Sequence, residues 1–512
     1  MKKGRGVSYG ATVLALSNIL VKCIGLLFKI PLANLSGGTV LAYFNMAMSV
    51  FSFGMISVTA GLPTAAAQMI AASPEQRRAR VSRAAVLPAL IFGAISSVLV
   101  FLAAPRFALL AGDGACAPAI RAIAPGIFAC CLVSVLRALR QGEGDMIPTA
   151  LSQLIEAVMR LAVGLACAGV FAKHGDGMIA AGAAAGVAAG EICALVCLLP
   201  MLFRQCVRIK RSDISVFPEL ARIALPLTFG SVIHTVVNIA DIRILLSSLQ
   251  ISGLSGSAAT ELYGIYSGYC MTLFSFPPTL IAALTASLLP AAAALHAEKN
   301  REGLSRLAER AMKTALFVAA PCTAGFLSIP RELLSLLFRR SGDVAIAAPL
   351  LASIAPGIIF LAVSAVCRTL LISSGKAAKS VGSTLFAAII RIAVTALAAR
   401  IPGIGIFGAA LASGAALLVQ AVVDLVTLRR MQIVSFRLRA FMPAILLSLP
   451  LVIISPCMLR LLTPCLGADK ATVFAVLVSA AVYLICGTFF GFINPSALLT
   501  LKTPKIVKCK KC

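Results

Sequence analysis

Apolar residues run along this chain in stretches of about 20 or more, parted by short charged segments. A helix needs about 20 such residues to cross a hydrocarbon core ~30 Å thick, so each stretch predicts one membrane-crossing α-helix. The stretches centre near residues 20, 55, 93, 130, 159, 190, 234, 278, 320, 358, 388, 416, 451 and 482, about 14 in all. The loops between them are short and leave no room for a soluble domain of useful size. The first stretch covers roughly Gly10–Leu32, too long for the core of a cleavable signal, and is read as the first span. The expected fold is all-α and polytopic.

Polar positions break the apolar pattern at helical spacing. Asn18, Lys22, Gly25 and Lys29 fall on one face of the first span. Thr149, Gln153, Glu156 and Arg160 do so in the fifth, and Ser231, His234, Asn238 and Asp241 in the seventh, with Arg243 close by. Ser380, Thr384 and Arg391 share a face of the eleventh. A charge near mid-membrane costs roughly 2.5–3.5 kcal/mol on insertion scales, so such residues usually face a cavity and act there. Plainer readings exist for several. Lys29 can snorkel to an interface, Glu156 and Arg160 can neutralise one another as i,i+4 partners, and His234 can be a hydrogen-bonded packing residue. Arg137 and Arg140 are explained by their place at a cytoplasmic helix end. Lys22, two turns or more from either end of its span, is the hardest to explain structurally. Gly182, Gly186 and Gly190, and likewise Gly408, Ala412 and Ala416, form small-residue faces that predict close helix packing. Pro31, Pro63, Pro226, Pro277, Pro278 and Pro290 are candidate breaks in or near spans.

The pattern is also duplicated. Ile123-Ala124-Pro125-Gly126-Ile127-Phe128 returns 231 residues on as Ile354-Ala355-Pro356-Gly357-Ile358-Ile359-Phe360. The register then holds: Arg137 maps to Arg368, Gly144 to Gly375 and Arg160 to Arg391. Glu191 in the sixth span maps to Asp424 in the twelfth at a shift of 233. Two six-span copies are the mark of a secondary transporter. An even number of spans gives both copies one orientation, with a transport path expected between them. The expected domains are 1–211 and 212–435, two six-helix lobes, followed by 436–512 with two further helices and a basic tail.

Composition sharpens this picture. The chain is 60% hydrophobic and 12% charged, far from soluble averages. Its net charge of +27, from 45 Lys and Arg against 18 Asp and Glu, invites a nucleic-acid reading. Position argues against one, because about 30 of the 45 basic residues fall in loops on one side. They include Lys2, Lys3, Arg5, Arg77, Arg78, Arg80, Arg83, Arg204, Arg208, Lys210, Arg211, Lys299, Arg301, Arg306, Arg310, Arg429, Arg430, Arg437 and Arg439. That bias places both termini in the cytoplasm and the chain in the cytoplasmic membrane, in contact with anionic lipid. No G-x-x-x-x-G-K-[ST] occurs, so hydrolysis of ATP by this chain is not expected. The three His residues form no metal motif, and no catalytic residue, metal site or cofactor is expected. The Cys509-Lys510-Lys511-Cys512 tail has C-x-x-C spacing but is a lone pair.

The opening residues 10–35, with Lys22, Gly25 and Phe28-Lys29-Ile30-Pro31-Leu32, resemble the stage V sporulation protein B / polysaccharide biosynthesis family. So do Ala60-Gly61-Leu62-Pro63 and the run Leu136-Arg137-Ala138-Leu139-Arg140-Gln141-Gly142 through Pro148, Gln153, Glu156 and Arg160. That family lies in the multidrug/oligosaccharidyl-lipid/polysaccharide (MOP) flippase superfamily, with the lipid II flippases. The resemblance covers about residues 5–495 and implies two six-helix lobes in a V shape, often with two extra helices. It departs from the family at Ala138, where a Gly is expected, and at Ser373, which stands where the first copy has Gly142. It implies movement of an undecaprenyl-pyrophosphate-linked saccharide, such as a peptidoglycan precursor, by alternating access. The candidate binding residues are then Asn18, Lys22, Lys29, Gln153, Glu156, Arg160, Asn238, Asp241, Arg243 and Arg391. Lys22, Arg160, Arg243 and Arg391 are suited to neutralise a pyrophosphate. Coupling to Na+ or H+, or to the membrane potential, would supply the energy. The competing class, a cation-coupled multidrug exporter of the same superfamily, would use Glu156, Glu191, Asp241 and Asp424 instead. A membrane enzyme or scaffold is a third class, and no large external loop supports it.

Overall fold

A computed structural model describes residues 2–206, 215–431 and 442–489. The Cys509–Cys512 pair and the basic residues Arg208, Lys210, Arg211, Arg437 and Arg439 lie outside these. The described residues are helical almost throughout, with no strand among them. The helices are α1 (Lys2–Ser36), α2 (Gly38–Thr59), α3 (Leu62–Ala72), α4 (Glu75–Leu102), α5 (Ala104–Ala111), α6 (Ala117–Glu143), α7 (Ile147–Val170) and α8 (Asp176–Cys206). They continue as α9 (Phe217–Ile251), α10 (Gly256–Gly264), a π turn (Ile265–Cys270), α11 (Met271–Phe274), α12 (Phe276–Ala297), α13 (Arg301–Ser328) and α14 (Pro330–Leu337). Then follow α15 (Ser341–Ile354), α16 (Gly357–Ser373), α17 (Ala377–Ala398), α18 (Phe407–Arg430), α19 (Met442–Leu446), α20 (Leu449–Leu466) and α21 (Ala468–Phe489).

Among the described residues 12 helices are long and apolar enough to cross a membrane, or 13 if the bent pair Gly342–Ile354 and Gly357–Ser373 is one span. The count of 14 is therefore not reached. The eighth expected span, near residue 278, is built from pieces: α10, the π turn, α11 and α12, with a break at Ser275 just before Pro277 and Pro278. Pro63 likewise opens α3 after a break at Ala60-Gly61. Pro31 breaks nothing and sits inside a continuous α1. Large apolar side chains such as Leu102, Val170 and Phe229 stand more than 70% exposed, as befits helices whose solvent is lipid.

The chain divides into two compact units. The first comprises Met1–Leu273, Leu337–Leu350 and Leu385–Ser413. Its centre is α6, enclosed by α2, α3, α4 and α8, with Ile120, Ile123, Ile127, Leu132, Leu136 and Leu139 wholly buried. The glycine face of the sixth span packs on α7, as its spacing predicts. A Cβ on Gly186 would lie 2.3 Å from the Cα of Gly164. Helices in lipid associate through such close packing rather than through escape from water. Gly186→Leu is therefore expected to cost about 1–3 kcal/mol or more, read as a fall in the thermal unfolding midpoint in detergent. A tighter crossing joins α2 to α10, where a Cβ on Gly264 would lie 1.7 Å from the Gly38 carbonyl oxygen.

The second unit comprises Phe274–Leu336, Leu351–Thr384 and Gly414–Cys512. In it α13 packs on α12, α16 and α20. The C-terminal pair α20 and α21 is tied by Ser455 and Ser479 at 2.9 Å and docked by Tyr483. The Tyr483 ring lies 4.5 Å from that of Phe317, and its hydroxyl donates to the Phe317 carbonyl at 3.0 Å.

Candidate functional site

Within the first unit a cavity of about 330 Å³, with polar groups set among apolar ones in its wall, opens between the helices. Three polar residues of α2 line it, Asn45, Ser49 and Ser52, spaced on one helical face with Met48 beside them. From α9 come Asn238 and Asp241, and from the α10–π segment Tyr263, Tyr266 and Ser267. Arg391 and Ala409, with the apolar Ile242, Leu245 and Met271, complete the wall. Tyr266 and Ser267 lie in the π turn Ile265–Cys270; such turns add a residue to the helical repeat and recur at functional positions.

The cavity is internally bonded. Arg391 Nη2 lies 2.8 Å from Asp241 Oδ2, and Thr395 Oγ1 donates to Asp241 Oδ1 at 3.3 Å. Asn45 Nδ2 donates to Ser267 Oγ at 3.0 Å. The hydroxyls of Tyr266 and Ser413 are 2.8 Å apart. Planar amides, hydroxyls, two aromatic rings and a carboxylate–guanidinium pair thus face one space. Such groups can take hydrogen bonds from, and give them to, a neutral polyhydroxylated ligand.

The residues singled out in the sequence divide among three settings. Asn238, Asp241 and Arg391 meet in the cavity. Gln153, Glu156 and Arg160 lie half-buried on α7, where Glu156 is clamped by two arginines: Arg137 Nη2 at 3.0 Å and Arg160 one turn along. Arg137 also donates from Nε to Ser152 Oγ at 2.8 Å, so its place is not explained by charge bias alone. The third setting is α1. Its Ser17 donates to the Ala150 carbonyl of α7 at 3.1 Å, and Phe28 packs at Gly164, which fixes the face turned to α7. Asn18 and Lys22 lie off that face and are exposed, and Lys22 has no ion-pair partner among the described residues. Lys29 does not snorkel: it is half-buried and its Nζ donates to Thr272 Oγ1 at 3.2 Å. Arg243 is exposed on α9. The His234 side chain lies outside the described residues. Among the described residues no group of His, Cys, Asp and Glu could hold a metal ion.

Helices fit to cross a membrane, packed around such a cavity, are those of a multi-pass membrane protein. The model of the family described as "Polysaccharide biosynthesis protein" matches residues 7–296, more than half of the chain, and the chain belongs to that family. Stage V sporulation protein B of Bacillus subtilis (strain 168) is 23% identical over 504 residues, covering 96% of each chain. Lipid II flippase MurJ of the same organism is 22% identical over 343 residues, covering 62% of this chain and 63% of that one. Among solved structures, lipid II flippase MurJ in an inward closed conformation superposes with a TM-score of 0.74 at 15% identity. The overlap covers 94% of this chain and 98% of that one. An inward-facing multidrug resistance MATE family transporter of the MOP superfamily gives 0.66 at 17% identity, over 82% and 98%. These relatives place the chain among membrane flippases and transporters rather than enzymes.

Proposed function

We propose that this protein is a flippase for an undecaprenyl-pyrophosphate-linked saccharide, lipid II or another cell-wall polysaccharide precursor, acting by alternating access in the cytoplasmic membrane. The observation that carries the reading is the cavity of hydroxyls, amides, tyrosines and the Asp241–Arg391 pair inside a bundle otherwise apolar. A saccharide head group presents hydroxyl and amide groups that match those walls, whereas an isoprenoid tail needs only lipid. For the pyrophosphate, Lys22 is an exposed cation of the first span with no ion-pair partner among the described residues, whereas Lys29 is half-buried and bonded to Thr272. Arg160 and Arg391 are already neutralised by carboxylates. Both termini lie in the cytoplasm in this reading, with lobes 1–211 and 212–435 and an appendage 436–512. Membrane lipids are its surroundings, and nucleic acid is no partner.

Lys22→Ala is expected to abolish complementation of a flippase-depleted strain while the protein still inserts. Normal growth of that variant would remove the anionic-substrate argument. Translocation of labelled lipid II in liposomes tests the function itself, with ethidium efflux run in parallel. The rival reading, export of organic cations, needs an acid free to meet its substrate. Asp241, the one carboxylate lining the cavity, is engaged by Arg391 and Thr395.

A further inference from the structure

In each copy of the repeat, one carboxylate on the sixth helix is buried without a cation bound to it. Glu191 on α8 is only 4% exposed, and its Oε2 has no hydrogen-bond partner. The charged and titratable groups facing it are Arg137 and the thiols of Cys130 and Cys131 from α6, with Glu156 and Arg160 from α7. Both arginines place their guanidinium groups on Glu156 and leave Glu191 with the Cys130 thiol. In the second unit Asp424 on α18 is wholly buried. It accepts from Ser364 Oγ of α16 at 2.7 Å and from Ser383 Oγ of α17. Arg368 and Cys367 face it from α16, yet no ion pair forms, and Arg368 Nε is itself buried without a partner. The two acids are repeat mates, 233 positions apart, although their immediate neighbours differ.

An ionised carboxylate enclosed in a membrane bundle with no cation on it is costly, and binding a proton removes that cost without moving any atom far. A metal cation fits neither place. Around Glu191 stand two guanidinium groups, which repel positive charge, two thiols, and the Glu156 carboxylate, whose two oxygens are already held by Arg137 and Arg160. Around Asp424 both carboxylate oxygens are already taken by serine hydroxyls.

We propose that Glu191 and Asp424 are proton-binding sites, one in each repeat, and that the ion coupled to transport is H+. Each carboxylate takes one proton from water on one side of the membrane as it becomes enclosed. It returns that proton, unchanged in number, when the helices re-open to the other side. The coupling part rests on the flippase reading above; the binding part does not.

The binding part is tested on the purified full-length protein in lipid nanodiscs, by infrared titration of the carbonyl stretch of protonated carboxyl groups. The expected result is a band at neutral pH that persists in the wild type and shrinks in Glu191→Gln and in Asp424→Asn, with both contributions gone in the double variant. Ser383→Ala should shift the frequency of the Asp424 contribution and leave that of Glu191 in place, which decides the point even if Asp424→Asn does not fold. Unchanged spectra, or bands that respond to Na+ and not to pH, overturn the proposal. The coupling part uses proteoliposomes and a fluorescent undecaprenyl-pyrophosphate-linked disaccharide. A pH gradient should speed translocation several-fold in the wild type, and the double variant should lose that dependence. If the wild type moves no probe under any gradient, the flippase reading fails while the infrared result stands. If a Na+ gradient alone drives movement, H+ coupling is overturned.

Discussion

Arg391→Ala is expected to lower both translocation and stability, and the larger loss should be in translocation. Removing the guanidinium leaves Asp241, 6% exposed, with only the Thr395 hydroxyl on its carboxylate. Breaking a buried ion pair from one side costs roughly 3–5 kcal/mol, because a charge stays behind without its partner. In a cavity wall the carboxylate would also draw water or rotate away from its place. The double variant Asp241→Asn with Arg391→Gln removes both charges and keeps two planar side chains. Its unfolding midpoint should return most of the way to that of the wild type, while translocation stays depressed. Recovery of translocation as well would mean that the pair is scaffold and that substrate does not read it.

The second large effect belongs to Glu156. Two arginines, Arg137 and Arg160, converge on this one carboxylate, and each side chain is less than one-third exposed. Glu156→Ala leaves two like charges facing each other and facing Glu191. Its cost should match or exceed that of Arg391→Ala, since two partners are stranded instead of one. The measurement is accumulation in the membrane, with the thermal midpoint of whatever protein is recovered. Restoring one charge balance by Arg160→Met in the same chain should recover part of the loss, because the three groups act as one network and their effects are not additive. Strict additivity of the two substitutions would show that the network does not exist.

Much of this was readable before any coordinates. Helical spacing alone put Asn238 and Asp241 on one stripe and Arg391 on another, and the cavity holds all three. Spacing also identified the Gly182–Gly186–Gly190 face as packing surface, which it is. What stayed hidden lay mostly in uncharged residues. Asn45, Ser49 and Ser52 are spaced as one helical face, a signal present in the sequence but weaker than charge, since uncharged polar residues are far less costly in a span. Tyr263, Tyr266 and Ser267 follow the i, i+3, i+4 spacing of one helical face and, like the α2 residues, carry no charge that would single them out. Arg137 was read as a loop-side charge because its partner, Glu156, is on a different helix.

The exact count of 14 spans is not confirmed among the described residues, for a related reason. A run of apolar residues says how long a segment is, and nothing about whether it stays straight. Ala124-Pro125-Gly126 lies inside one continuous helix, α6, where Gly126 packs against Ala188 of α8. Its repeat mate Ala355-Pro356-Gly357 ends one helix and starts another, with a bend of 46°. Proline removes a helical hydrogen bond in either setting. In the second copy, Thr323 Oγ1 of α13 donates to the Ala355 carbonyl at 3.2 Å, so a polar group at the break is satisfied without water.

That pair of prolines gives the two copies unequal stiffness. A helix clamped along its length transmits load as a strut, so α6 turns as one piece. The segment 354–357 is already bent by 46°, and its Ala355 carbonyl accepts from Ile358 N–H at 3.0 Å as well as from Thr323. Any force applied across both copies is taken up where resistance is least. Duplication thus produced matching parts, one that runs straight through its proline and one that bends there.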